Sequence, residues 1–477
     1  MLSILVCHSY FLRLDQKQIT RAKPYPPLAT LQVVALLRQA GHQVSFFDSM
    51  LADGIDEYDR VLAANQPQLV LFYEDNFNFL SKMCLAAMRQ AACDMIGSAR
   101  RAGARIIAAG PDVSDAPASY LKAGADLALA GEGVATLMQL LARMDHKPDA
   151  PNDEWIQALP GVSTLCEGKL HSAPGNHAAA LMPDSSPAAW DLVDMERYRA
   201  VWTKAHGYFS LNLAASRGCP FRCTWCAKPI WGNQYLQRSA QEVADEMAYV
   251  KRNFRPDHIW FADDIFGFRV DWVREFAAAI KTQGAQIPFT IQTRADLVSE
   301  RMAQALSEAG CQEAWLGAES GSQRVLDAMN KGTSVGEILL ARERLKAAGI
   351  RVGFFIQLGY MGEELEDIEA TRKLLLLAKP DEIGVSVSYP LPGTKFYELV
   401  KAQLNGKTHW RESNDLDMMF RGTYTSDFYR TIRNFLHQQV EQQTNLGAEK
   451  SLEGRWRELL ADELKYRSSG ERSAARA

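Results

Sequence analysis

The chain has 477 residues, 47% apolar and 23% charged, with a formal net charge of −4. This is an ordinary globular composition, long enough for more than one domain. The charge balance carries no sign of nucleic-acid binding, and no apolar run is long enough to span a bilayer. Eight cysteines and no secretory leader point to a cytoplasmic chain without a disulfide framework.

In chain order, Ser3–Cys7 reads as a strand, Pro27–Ala40 as an amphipathic helix closed by Gly41, and Val44–Asp48 as a second strand. Gln68–Tyr73 is a third, running into Glu74-Asp75-Asn76. A long helix over Ser81–Arg101 comes next. Arg105–Ala108 leads to Ala109-Gly110-Pro111-Asp112, and Asp126–Ala130 leads to Gly131-Glu132-Gly133 and a helix to about Met144. Strict strand–helix alternation implies a doubly wound open sheet with ligands at the carboxyl ends of the strands. No Gly-x-Gly-x-x-Gly stands after the first strand, which argues against a dinucleotide site.

Asp145–Ser186 is rich in Pro, Ala, Asp and Gly and reads as a bridge between domains, with a small strand pair over Ser163–Leu170, and Trp190–Tyr198 follows as a packing segment. From about Phe209 to Thr394 strands and helices alternate again. Strands at Ser210–Ala215, His258–Ala262, Phe289–Gln292, Ala314–Leu316, Val352–Leu358 and Glu382–Ser388 alternate with helices at Ala240–Asn253, Trp272–Lys281, Arg301–Ala309, Ser334–Ala348 and Glu364–Ala378. This reads as a full or partial parallel α/β barrel. Polar clusters stand after successive strands: Asp263-Asp264, Thr293-Arg294, Glu319-Ser320-Gly321, Gly359 and Pro392-Gly393-Thr394. Each alone is a turn or a helix cap; in register they mark the carboxyl end where barrel active sites lie. Beyond it, Phe396–Leu404, Thr425–Thr444 and Leu452–Tyr466 are helical, with Tyr424 and Tyr429 open to a substrate-facing or a packing role, and Arg467–Ala477 reads as a disordered tail. The expected domains are 1–144, 201–398 and 399–466, with 145–200 as linker and 467–477 as tail.

The loop after the first barrel strand carries Cys219-x3-Cys223-x2-Cys226. A cubane iron–sulfur cluster takes four thiolates, and three leave one iron open, the mark of a catalytic rather than a structural metal site. Zinc would need a fourth ligand, and the next cysteine and histidine downstream are Cys311 and His258. Gly218 and Pro220 allow a tight wrap, and Arg217 and Arg222 can offset thiolate charge. Trp225 and Trp231 flank the loop. The other cysteines, Cys7, Cys84, Cys93, Cys166 and Cys311, read as small buried hydrophobes.

This triplet resembles the signature of the radical S-adenosylmethionine (SAM) superfamily. The resemblance implies a [4Fe-4S] cluster on Cys219, Cys223 and Cys226 whose open iron is chelated by the methionine part of SAM. It implies that Asp263 or Asp264 contacts the SAM amino group, that Gln292 and Arg294 hold its carboxylate or ribose, that Glu319 bonds the ribose hydroxyls, and that the strand ending at Gly359 lies beside adenine. Phe-Ala-Asp-Asp stands where the family commonly has Gly-Gly-Glu. The N-terminal half resembles the cobalamin-binding domain that precedes many such barrels, through Tyr25-Pro26-Pro27-Leu28, Gly41-His42-Gln43-Val44, Gly110-Pro111-Asp112 and Gly131-Glu132-Gly133. Glu74, Asp75, Asn76, Gly110, Pro111, Gly131 and Glu132 are its expected cobalamin-lining residues. Where many cobalamin domains carry Asp-x-His-x-x-Gly, this chain has Cys7-His8-Ser9-Tyr10, which implies cobalt without that lower ligand and makes His8 a minor candidate.

The activity implied is reductive SAM cleavage to a 5′-deoxyadenosyl radical with methyl transfer to an unactivated carbon of a small-molecule substrate. The electron donor would be a flavodoxin or ferredoxin. A cobalamin-dependent oxidative cyclase or rearrangement enzyme, of the anaerobic chlorophyll-ring cyclase type, stays open, as does a non-catalytic cobalamin or iron–sulfur sensor. No side chain is assigned as catalytic.

Overall fold

In the computed structural model, residues 1–77, 86–147, 152–174, 187–226, 234–404, 416–442 and 449–468 are described. They divide into two compact units. The first takes in 1–219 and 234–263, the second 220–226, 264–404, 416–442 and 449–468.

The first unit is built on the strands β1 (Ser3–Cys7), β2 (Gln43–Phe47), β3 (Leu69–Tyr73), β4 (Arg105–Ala109), β5 (Leu127–Leu129), β6 (Val162–Cys166) and β7 (Lys169–Ser172). Their order is β2-β1-β3-β4-β5-β6-β7, and the first five pair in parallel. β3 is buried along its whole length, as a near-continuous apolar run in a sheet covered on both faces should be. One core cluster packs the helices Leu28–Gln39 and Val134–His146 on one face, and a second packs Ile55–Asn65 and Ala86–Arg101 on the other. The strand pair expected in the bridge adds antiparallel to the sheet edge through Ala128↔Ser163. Cys166 lies on that outer hairpin and is exposed, so it is not the buried hydrophobe expected from its apolar neighbours; Cys7 and Cys311 are buried and Cys93 is half-buried. Cys84, Trp231, the start of the Ser81–Arg101 helix and residues 469–477 lie outside the described residues.

This unit also contains β8 (Ser210–Leu213), β9 (Ser216–Gly218), β10 (Tyr235–Gln237) and β11 (His258–Phe261). β8 and β11 are parallel, while β9 and β10 form a small antiparallel ribbon that brackets the cysteine loop and was not expected from the sequence. The helix Ala240–Phe254 starts at a capping box between Ser239 and Glu242. Its buried Glu246 gathers the Trp190 indole N–H (3.1 Å), the Ala188 N–H (3.3 Å) and the Arg238 guanidinium.

In the second unit β12 (Phe289–Thr293), β13 (Cys311–Glu319), β14 (Arg351–Leu358) and β15 (Glu382–Val387) pair in parallel in sequence order. Serine and threonine caps start its helices: Ser299, Ser322, Ser334 and Thr394 each accept a backbone N–H of the first turn. Such caps end each strand–loop segment at a defined point, which keeps the polar residues at the carboxyl edge. No helix among the described residues is long and apolar enough to cross a membrane.

Because a buried cation stripped of its carboxylate is costly, Glu246→Ala should destabilise the protein by about 3–5 kcal/mol, read as a lower midpoint in denaturant unfolding.

Candidate functional site

The cysteine loop has little regular structure of its own, and its three thiols are half-buried. Within the second unit it is held by hydrogen bonds. The Thr224 N–H donates to the Met329 carbonyl (2.9 Å), the Thr224 carbonyl accepts from the Phe396 N–H (2.9 Å), and Asn330 Nδ2 donates to the Arg222 carbonyl (2.9 Å). The Thr224 hydroxyl lies 2.7 Å from that of Tyr360. Trp225 packs against the apolar cluster of Val325, Met329, Tyr360 and Phe396. Among the described residues no three His, Cys, Asp or Glu side chains are gathered tightly enough to grip a bare metal ion. Three reduced thiols on one anchored loop still offer the soft donor set that an iron–sulfur cluster takes.

The strand-end residues fall into two kinds. Asp263, after β11, is buried and committed to the chain: it accepts from the Ala215 N–H (2.9 Å) and the Ser216 hydroxyl (2.5 Å), anchoring the approach to the loop. Asp264 is half-buried, and so is Gln292 on β12. Arg294 was expected to offer its forked donors to a SAM carboxylate; the fork grips Asp296 instead, through Nε (2.9 Å) and Nη2 (3.0 Å). Nη2 also reaches the Lys331 carbonyl (2.8 Å) and the Thr333 hydroxyl (2.9 Å), and Nη1 lies 3.9 Å from Cys223 Sγ.

Glu319, the last residue of β13, sits at φ 59°, a left-handed conformation that costs a non-glycine residue energy and is concentrated at functional sites. Its carboxylate pairs with Lys331 Nζ at 2.7 Å, both side chains buried. A Cβ at Gly317 would lie 2.6 Å from Lys331 Nζ and 2.7 Å from Glu319 Oε1, so a side chain there would displace this pair. Gly359, after β14, donates its N–H to Glu363 (2.6 Å). A Cβ there would meet Met418 at 3.0 Å and the Tyr429 ring at 3.1 Å, so the missing side chain makes room for the C-terminal segment. Tyr429 and Tyr424 are both buried, and the Tyr424 hydroxyl donates to Glu463 (2.6 Å), which makes Tyr424 a packing residue. Sequence reasoning missed Lys331 and Glu363, which sit in loops read only as connections, and Thr224, which stands among the cysteines without being a ligand. It also missed Gln357 and Ser388, at the ends of β14 and β15. Gln357 Oε1 and Ser388 Oγ are buried with no partner among the described residues, as atoms awaiting a polar ligand would be.

In the first unit the polar residues gather where β1 lies between β2 and β3, the topological switch point of a doubly wound sheet. The Glu74 carboxylate accepts from the Ser9 N–H (3.0 Å) across that point. Asp75 accepts from the N–H groups of Ala29 and Phe77, both at 3.1 Å. Burial raises the pKa of both carboxyls. Asn76 is buried, and its Oδ1 has no partner among the described residues. Gly110 touches Glu74: a Cβ there would lie 2.6 Å from the Glu74 Cβ. Pro111 opens a short helix, and the Gly131 N–H donates to Ser114 (2.8 Å). Glu132 binds Arg217 in a buried ion pair, and Arg217 also reaches Gln32. His8 Nε2 is already engaged by Asp48 (3.0 Å) and the Ser49 N–H (3.1 Å).

Residues 213–375 match the Radical SAM superfamily. The match takes in the cysteine loop and every strand-end residue described from Asp263 to Gly359. Its fold is similar to that of the radical SAM methyltransferase TsrM from Kitasatospora setae, solved with cobalamin and a [4Fe-4S] cluster (TM-score 0.67, 17% identity, 85% of this chain and 76% of that one). Among curated proteins it is 26% identical over 321 residues to an uncharacterized methyltransferase of Pyrococcus horikoshii, covering 66% of this chain and 67% of the relative. It is 24% identical over 395 residues to the hopanoid C-3 methylase of Methylococcus capsulatus, covering 80% and 70%.

Burial pushes the Glu363 carboxyl up to about 8 from an ordinary 4.5. Between those values the folded chain holds a proton that the unfolded chain has released, so stability falls as pH rises through this window. Glu363→Gln should flatten that fall, seen as a melting temperature that changes less than wild type's between about pH 5 and about pH 8.

Proposed function

We propose that this protein is a cobalamin-dependent radical SAM methyltransferase acting on an unactivated carbon of a small molecule. What carries the reading is the presence, in one chain, of an anchored open thiol triplet in a radical SAM domain and a doubly wound N-terminal sheet with a polar, partly unsatisfied switch point. The likeness to TsrM, which binds cobalamin and a cluster, supports it. When bound, the cluster supplies the electron that cleaves SAM, and cobalamin carries the methyl group.

On this reading Cys219, Cys223 and Cys226 ligate the cluster, and Asp264, Gln292, Glu319 and the backbone at Gly359 hold SAM. Asp263 and Arg294, already committed to the chain, act one step back. Residues 1–144 form the cobalamin domain, lined by Glu74, Asp75, Asn76, Gly110, Pro111, Gly131 and Glu132. Asn76 Oδ1 would accept from one of the amide groups at the edge of the corrin. Burial works against the charged form of Glu74 and Asp75, and a buried wall of this kind suits an amide-rich ligand better than an ionic one. Residues 201–398 form the barrel and 399–466 its helical addition. A cytoplasmic location, with a flavodoxin or ferredoxin as electron donor, fits thiols that must stay reduced to hold a cluster.

Incubation under anaerobic reduction with SAM labelled in its methyl group should put label in the product. Label confined to methionine would move the protein to the cyclase or rearrangement class, and the absence of any SAM cleavage would return the sensor reading. Cys223→Ala should abolish cleavage and lower bound iron.

A further inference from the structure

Arg294 does more than its place after β12 suggests. Its guanidinium lies over the Phe221 ring, 3.6 Å from the centroid, with Nη1 3.9 Å from Cys223 Sγ. Phe221 and Cys223 are both cysteine-loop residues. The rest of the group is fixed: Nε and Nη2 grip Asp296, and Nη2 also binds the Lys331 carbonyl and the Thr333 hydroxyl. Arg294 and Asp296 are buried to 5% and 19% side-chain exposure. These contacts hold the remaining N–H donors facing the loop. Such a donor cannot swing away to track a ligand, and its cost of ordering is met before anything binds.

We infer that Arg294 is a positioning residue that donates to the Cys223 sulfur and sets how readily the cluster takes up its electron. This rests on the reading of the cysteine triplet as a cluster site. Hydrogen bonds to ligating sulfurs, and nearby charge, are among the levers that set iron–sulfur potentials. Gaining one electron adds negative charge to the cluster and its thiolates. A fixed N–H donor stabilises that reduced form, with an external one-electron donor as the source of the electron. Asp296 works in the opposite sense, because its carboxylate offsets the guanidinium charge. The pair therefore makes a graded device: Arg294 raises the potential and Asp296 moderates it.

The test is an EPR-monitored redox titration of the reconstituted full-length protein without SAM, so that any role in holding SAM leaves the readout unmoved. Arg294→Gln and Arg294→Met should load the same iron as wild type. Both should be harder to reduce, with roughly tenfold less reduced cluster at a fixed poise, a shift of about 59 mV for one electron. Arg294→Lys, which keeps the charge but not the fork, should fall between them and wild type. Asp296→Asn should shift the potential upward, an outcome that general damage to the loop does not produce. Unchanged potentials in loaded Arg294 variants, or a downward shift in Asp296→Asn, would overturn the inference. Loss of SAM affinity with an unchanged potential would overturn it too, and return Arg294 to the SAM site. Failure of the wild type itself to load a cluster would overturn the underlying reading of the triplet, and the inference with it.

Discussion

The site depends on how an eight-residue cysteine loop, Cys219–Cys226, is held without secondary structure of its own. Thr224 is the fixed point. Its N–H, carbonyl and hydroxyl are all used, toward Met329, Phe396 and Tyr360. A loop that must present thiols cannot bury them, so it cannot rely on its own apolar contacts. It borrows order from the segment after β13, from the residue after Gly359 and from the start of the helix Lys395–Val400. Backbone hydrogen bonds to such rigid elements fix side-chain direction better than surface contacts do.

The strand-end residues obey the same logic. Asp263, Arg294 and Glu319 differ in sequence context, but each is buried and each is held by the protein before any ligand arrives. The buried Glu319–Lys331 pair is weak evidence for stability, since desolvation offsets much of its attraction. Its value lies in fixing a carboxylate on a strained residue at the mouth of a strand. Unit by unit, the polar groups gather at the carboxyl ends of parallel strands, with apolar side chains filling the layers behind. In the N-terminal sheet the same principle acts through Glu74, which spans the switch point from β3 to the residues just after Cys7.

Much of this was legible in the sequence because the signals are local. Strand–helix alternation, Ser and Thr caps and the spacing of the three cysteines are each set by nearest neighbours in the chain, and the strands lie close to where the pattern put them. What the pattern could not give is which partner a side chain takes. Nothing near Arg294 says that its fork grips Asp296 two residues on rather than a ligand. Nothing near Lys331 says that it will meet Glu319. The β9–β10 ribbon is three residues a side, too short for a period to register. Cys166 has apolar neighbours, yet it sits on an edge hairpin whose outer strand is fully exposed; composition reports the residue and not the layer.

Gly359 shows how the same residue supports two arguments until its neighbours are known. A glycine at the end of a barrel strand suggests room for a ligand. The left-handed φ of 72° explains the glycine by itself, and the Met418 and Tyr429 contacts explain it a second time. Its N–H is taken by Glu363, and Tyr360, the next residue, stacks on Phe396 at 4.8 Å while its hydroxyl meets Thr224. The turn after β14 is therefore where the C-terminal segment, the Lys395–Val400 helix and the cysteine loop are tied together. The helices beyond the barrel are not a passive appendage on this account. By packing on Gly359 they fix Tyr360, and through Tyr360 they help to fix the loop that carries the thiols.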